Sequence, residues 1–134
     1  MTFDDVHTLA MSLPGVSVAA KWGNRTWVVA DRGFAWQRPF SKADLKRFGD
    51  TPPPAGEILA LWVGTLEAKE ALLAIAPPGF FTIPHFNGYP GILIALEQAR
   101  AKDVRRALKD AYAIASAPKP KPKPRPRRRV ARSV

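Results

Sequence analysis

The sequence predicts an α+β fold, a compact unit of mainly antiparallel β-hairpins packed with helices. Three observations lead there. Three stretches repeat apolar residues at helical spacing and a fourth is capped as a short helix, and the stretches between them are short, β-branched and aromatic. The helices interleave with hairpins rather than with single strands, which favours an antiparallel sheet over a doubly wound parallel one. The chain has 134 residues, 46% of them apolar and none cysteine. At that size one core buries roughly two-thirds of the unfolded surface, so neither metal nor disulfide is required.

Thr2 followed by Asp5 forms a capping-box-like start, and Phe3, Val6, Leu9, Ala10 and Leu13 continue as an amphipathic helix that Pro14-Gly15 stops. Asp4 and Asp5 suit the positive end of its dipole, and His7 reads as an exposed helix residue. From Val16 the chain becomes extended, with turns at Gly23-Asn24 and Asp31-Arg32-Gly33 and strands over Thr26–Ala30 and Phe34–Arg38. Ser41, with Asp44 at the third position, caps a short helix through Phe48, and Thr51-Pro52-Pro53-Pro54 forces a loop. Glu57–Val63 reads as a strand. Thr65 then caps a helix over Leu66–Ala76, with Ala68, Leu72, Ile75 and Ala76 as its apolar side. Strands Phe80–Ile83 and Ile92–Leu96 make a second hairpin around the turn-rich segment Pro84–Gly91. A last helix, Lys102–Ala115, puts Val104, Leu108, Ala111, Tyr112 and Ala115 on one face.

Charge divides the chain into a body, 1–117, and a tail, 118–134. The net charge is +10, yet the tail holds eight cations and no acid (Lys119, Lys121, Lys123, Arg125, Arg127, Arg128, Arg129 and Arg132), leaving the body at +2. Within the body, Lys21, Arg25, Arg32, Arg38, Lys42, Lys46 and Arg47 face only Asp31 and Asp44 in the same segment. Proline at every second position of the tail forbids helix and predicts a disordered, locally polyproline-II segment that presents its cations to solvent. No apolar run approaches the ~18 to 20 residues that span a bilayer, and the N-terminus is acidic, so a cytoplasmic protein without integral membrane association is expected.

Three stretches read together: Leu13-Pro14-Gly15-Val16, Lys21-Trp22-Gly23-Asn24 leading into Thr26-Trp27-Val28-Val29, and Phe80-Phe81-Thr82-Ile83-Pro84-His85-Phe86-Asn87-Gly88-Tyr89-Pro90. In that order they resemble the MmcQ/YjbR family, over residues 3 to 116. The resemblance implies an α+β fold with a double-wing arrangement of hairpins and a DNA-binding role, and it carries over no catalytic residue. The basic tail is an addition to the family pattern.

Nucleic acid, with DNA the expected form, is therefore the expected partner. The tail cations would supply affinity for phosphates without reading sequence, and the seven body cations would add contacts. The bland alternative for each group is a solvated, solubilising face, and that reading is favoured for Lys102, Arg105 and Lys109, which alternate with Asp103 and Asp110. Trp27, Trp36 and Trp62 fit core packing better than base stacking, whereas Trp22 stands at a turn. His85, Asn87 and Tyr89 occupy one loop and could line a small pocket. For His85 itself, a hydrogen-bonded residue that fixes the turn outweighs a general base, which would need a partner the sequence does not offer. No metal-ligand spacing, nucleophile elbow, P-loop or dinucleotide fingerprint is present, so no cofactor, metal or catalytic residue is expected and the protein reads as a non-enzyme. The competing function is a protein-interaction or small-ligand module that uses the His85–Tyr89 loop, with the tail as a general polyanion anchor. Convergence of the 21–47 cations with the root of the tail would favour the first reading, and scatter the second.

Overall fold

A computed structural model describes residues 1–21 and 23–118, the side chain of Lys21 excepted. Trp22 and all eight tail cations lie outside the described residues. The elements are α1 (Phe3–Met11), β1 (Ser17–Lys21), β2 (Asn24–Val29), β3 (Arg32–Gln37), α2 (Lys42–Phe48), β4 (Ile58–Trp62), α3 (Leu66–Ile75), β5 (Phe80–Phe81), a 3-10 turn at Pro84–Phe86, β6 (Gly91–Ala95) and α4 (Ala101–Ser116). The strands form one sheet in the order β1-β2-β3-β4-β6-β5, every neighbouring pair antiparallel. The α+β class and the order of its elements are those the periodicities predict.

Alternation along β4 and β6 builds two cores. Leu59, Leu61, Ile92 and Ile94 join Val6, Ala10, Trp27, Val104, Leu108, Ala111 and Ala115 on the face covered by α1 and α4. Their neighbours Ile58, Ala60, Leu93 and Ala95 point the other way and pack with Ile83, Phe86, Trp36, Phe40, Phe48 and Phe81, under α2 and the 84–90 loop. Because a strand turns successive side chains to opposite faces, a run of consecutive apolar residues demands cover on both sides.

Local chemistry sets the helix starts. The Thr2 hydroxyl accepts the Asp5 backbone N–H and Asp5 accepts that of Thr2, and Ser41 and Asp44 repeat the arrangement at α2. Thr65 caps α3 by accepting the Ala68 N–H.

The structure differs from the sequence reading in several respects. His7 is half-buried, and its Nδ1 accepts a 3.0 Å hydrogen bond from the indole of the fully buried Trp27, whose donor needs a partner away from water. On α3, Ile75 is 74% exposed and Ala76 lies beyond the helix in the left-handed region, so Ala68, Leu72 and Leu73 form the packed side instead. The strand expected over Phe80–Ile83 stops after Phe81. The β2–β3 register, finally, pairs Trp27 with Ala35 but Val28 with Gly33, which leaves Phe34 as an unopposed bulge residue. The bulge sends both Phe34 and Ala35 into the α4-side core and turns Trp36 to the opposite face.

The β2–β3 turn itself is made by Ala30 and Asp31, with φ of 50° and 63°, between the paired residues Val29 and Arg32. Two left-handed residues in a two-residue hairpin are what glycine or asparagine prefers, and an alanine there costs about 1 kcal/mol. Ala30→Gly is accordingly expected to raise the urea midpoint, by about 0.5–1 kcal/mol of stability, with an unchanged m-value.

Candidate functional site

The side chain of Lys21 lies outside the described residues, and the other six body cations do not form one surface. Arg25, on β2, pairs with Asp4 of α1 at 3.3 Å and stands 5.6 Å from the Trp27 ring. Arg32 opens β3 and lies over the Trp62 ring at 5.7 Å. Arg38 is bound into the second core: its guanidinium meets the Asp44 carboxylate at 2.9 Å, donates to the Pro39 carbonyl and stands 5.8 Å from the Phe86 ring. Lys42, Lys46 and Arg47 are exposed along α2. Helix α2 sits on the face of the sheet opposite α4, and α4 is the helix that leads into the tail. The basic segment therefore scatters, and only its α2 portion stays open to a ligand among the described side chains.

Asp44 is 3% exposed. Burial works to raise its pKa, but hydrogen bonds from the Ser41 backbone N–H and from Arg38 outweigh it and hold the carboxyl below its ordinary value of 3.8. One side chain thus caps α2, neutralises Arg38 and closes the second core.

The loop after β5 is tied down by aromatic packing and by hydrogen bonds to its backbone. Phe86 inserts into the second core, with ring centroids 5.4 Å from Tyr89 and 6.4 Å from Trp36. The Tyr89 ring lies over Gly91, where an added Cβ would come within 2.5 Å of it. Below the loop sits a residue that the sequence reading missed. Lys69 of α3 is 6% exposed, and its ammonium donates to the carbonyls of Phe86 and Tyr89, the latter at 2.9 Å. Burial pushes its pKa below the ordinary lysine value, and it makes no ion pair among the described residues. The available signal was its place in the helical stripe of Ala68, Leu72 and Leu73, where a lysine needs a polar target.

His85 is exposed and makes no hydrogen bond among the described residues, so the expectation that it fixes the turn is corrected: Lys69 and the backbone bond from Tyr89 to Phe86 do that. What the loop presents to solvent is His85, Asn87 and a Tyr89 that is 39% exposed. They do not line the apolar groove of about 660 Å³ between α3 and α4, whose walls include Leu72, Ile75, Phe80 and Ile114. No group of three or more His, Cys, Asp or Glu residues capable of holding a metal occurs among the described residues, and no described helix is long and apolar enough to cross a membrane.

Two outcomes test this geometry. The lowered pKa of Asp44 means that its stabilisation is complete above the unfolded value and is lost as pH falls through the folded one. Asp44→Asn should cost about 1–3 kcal/mol at pH 7 and flatten the acid limb of the stability–pH curve. Lys69→Met should cost about 1–3 kcal/mol and accelerate amide exchange in residues 86–91. Since the unfolded chain holds the Lys69 proton more tightly than the folded one, the wild type should also gain stability relative to that variant as pH rises toward 10.5.

No family model matches the chain, and no solved structure matches it. Its sequence is similar to Uncharacterized protein Rv2570 of Mycobacterium tuberculosis and to Uncharacterized protein Mb2600 of Mycobacterium bovis. Each is 36% identical over 114 residues, covering 83% of this chain and 85% of the relative. That degree of identity over nearly the whole length of both partners means that the chain belongs to one family with these mycobacterial proteins.

Proposed function

We propose that this is a non-enzymatic nucleic-acid-binding protein, acting on DNA, in which the tail supplies sequence-independent affinity and the exposed face of α2 orients the body. The charge partition carries this reading. Eight of the 21 cations stand in the last 17 residues without an acid, whereas Arg25 and Arg38 are committed to carboxylates and Arg32 to an aromatic ring. A polyanion therefore meets the tail first and Lys42, Lys46 and Arg47 second. Contacts of that kind follow phosphate spacing and not base identity, and the resemblance to the MmcQ/YjbR family is consistent with DNA as the polyanion. If the reading holds, the protein would be nucleoid-associated.

A second reading, which the scatter of the 21–47 cations away from the root of the tail favours for the body, rests on the loop. The Lys69 clamp and the Phe86 anchor hold His85, Asn87 and Tyr89 on a fixed frame, which is the usual construction of a recognition surface for a protein or small ligand. Under it, the tail is a general polyanion anchor.

Duplex affinity measured against salt separates the two. The full chain should lose affinity with a log–log slope as steep as about −7 if all eight tail cations release counterions. Replacing those eight by glutamine should abolish most binding, and two unrelated duplexes should bind alike. Replacing Lys42, Lys46 and Arg47 should weaken binding more modestly. Equal affinity with and without the tail cations, or no binding by the full chain, contradicts the proposal and leaves the loop reading.

A further inference from the structure

Helix α2 and the 84–90 loop cover only part of their side of the sheet. The second core beneath them draws on β4, β5 and β6 and reaches β3 at Trp36. Beyond Trp36 the strands continue without cover. Trp36 pairs with Thr26 and Thr26 with Ala19, so these three share that side, and alternation adds Ser17, Asn24 and Val28. Ser17 and Ala19 are exposed, and Asn24, Thr26, Val28 and Trp36 are half-buried. By register Lys21 is the one charged residue of β1 and β2 on this side, and its side chain lies outside the described residues.

An antiparallel sheet ordinarily turns polar residues to solvent on an open face. Here a large aromatic ring stands at the border instead. The bulge at Phe34 turns Trp36 out of the main core, and only the small Thr26 lies beside it on β2. On its other flank are Phe86 and Tyr89, each with its ring centroid 6.4 Å away, and Tyr89 is 39% exposed. The Trp36 and Tyr89 planes meet at 63°, forming an aromatic corner beside a shallow floor of small residues. A planar ring laid on one of them meets the edge of the other, and aromatic groups favour both contacts.

Positive charge stands next to that corner. Arg38 lies two residues past Trp36, and its ion pair with Asp44 at 2.9 Å fixes α2 there. Lys42, Lys46 and Arg47 are exposed on that helix, and its only acid, Asp44, is buried against Arg38. A floor of small uncharged side chains, two rings and bordering cations match a ligand with planar faces and a phosphate backbone. Single-stranded nucleic acid offers both, because every unpaired base has an open π-face, and stacking of such bases on aromatic side chains beside a basic track is how single strands are held.

We propose that the open face of β1–β3, with Trp36 and Tyr89 as its stacking corner, takes unpaired bases of single-stranded DNA while Lys42, Lys46 and Arg47 meet the phosphates. Such a site rests on the nucleic-acid reading above and gives the body a selective part in it. Cations alone hold any phosphate chain, whereas the corner distinguishes a strand with exposed bases from one without.

Binding of the full chain to a short oligothymidylate and to an abasic strand of the same length, which carries equal charge and no bases, tests it. The oligothymidylate should bind about tenfold more tightly, the contribution of one stacked base. Ala19→Glu, which places a repelling carboxylate on the floor, should remove that advantage. Ala20→Glu makes the same change of charge at an exposed position on the opposite face and should preserve it. On titration of the labelled protein, the Trp36 indole N–H should shift with the oligothymidylate and not with the abasic strand, and that of the buried Trp27 should not move. Equal affinity for the two strands, an unmoved Trp36, or the same effect from both variants would overturn the proposal. If the chain then still binds duplex through its tail, the stacking site alone fails; if it binds no DNA, the reading on which the site rests fails with it.

Discussion

Two-sided burial of β4 and β6 is the constraint on which the rest of the structure depends. In the five register pairs of these strands every residue but Gly91 offers an apolar side chain, alternately to the two faces, and water must be excluded from each. The α1–α4 face is closed by helices whose stripes suit the task. The other face has only the seven-residue α2 and a loop, so the loop has to behave as core. Phe86 is its apolar plug, and Lys69 reaches from α3 to bind two of its carbonyls, which accounts for a buried lysine with no carboxylate partner. Asp44 plays the matching part under α2. The surface that displays His85, Asn87 and Tyr89 is thus the outer side of a structural closure, and its rigidity follows from that duty.

The electrostatic layout follows from the same packing. Long cationic side chains near aromatic and acidic groups lie down on them, as Arg25 does on Asp4 and Trp27, Arg32 on Trp62 and Arg38 on Asp44 and Phe86. Each gains a partner and loses reach. The segment between residues 21 and 47 is therefore less basic in effect than its composition implies, and among its described side chains the free positive charge is left to α2.

What could be read from the sequence was what depends on neighbours along the chain. The capping boxes of Thr2 with Asp5 and Ser41 with Asp44, the α4 stripe of Val104, Leu108, Ala111 and Ala115, and the hairpin of Phe80-Phe81 with β6 are all short-range patterns, and the structure contains each. The misses depend on partners far away in sequence. Phe34 is a bulge only in relation to Trp27 and Val28. Gly33 draws the eye as the turn residue, yet the register places the turn at Ala30-Asp31. His7 looks exposed until Trp27 arrives from twenty residues away, and Lys69 looks like a solvated helix residue until the loop closes over it. Of the candidate site, the residue types were legible, but which cations remain free was not, because that depends on which acids and rings the fold brings to them.

The central claim is that the body's basic residues are unequal, with α2 open and Arg25 and Arg32 engaged. Titrating the isotopically labelled full chain with a short DNA duplex, and following backbone and side-chain NMR shifts, tests it most directly. The account predicts perturbations in the tail and at Lys42, Lys46 and Arg47, with Arg25, Arg32 and the exposed face of α4 unmoved. Shifts centred on Arg25 and Arg32, with α2 silent, would contradict it.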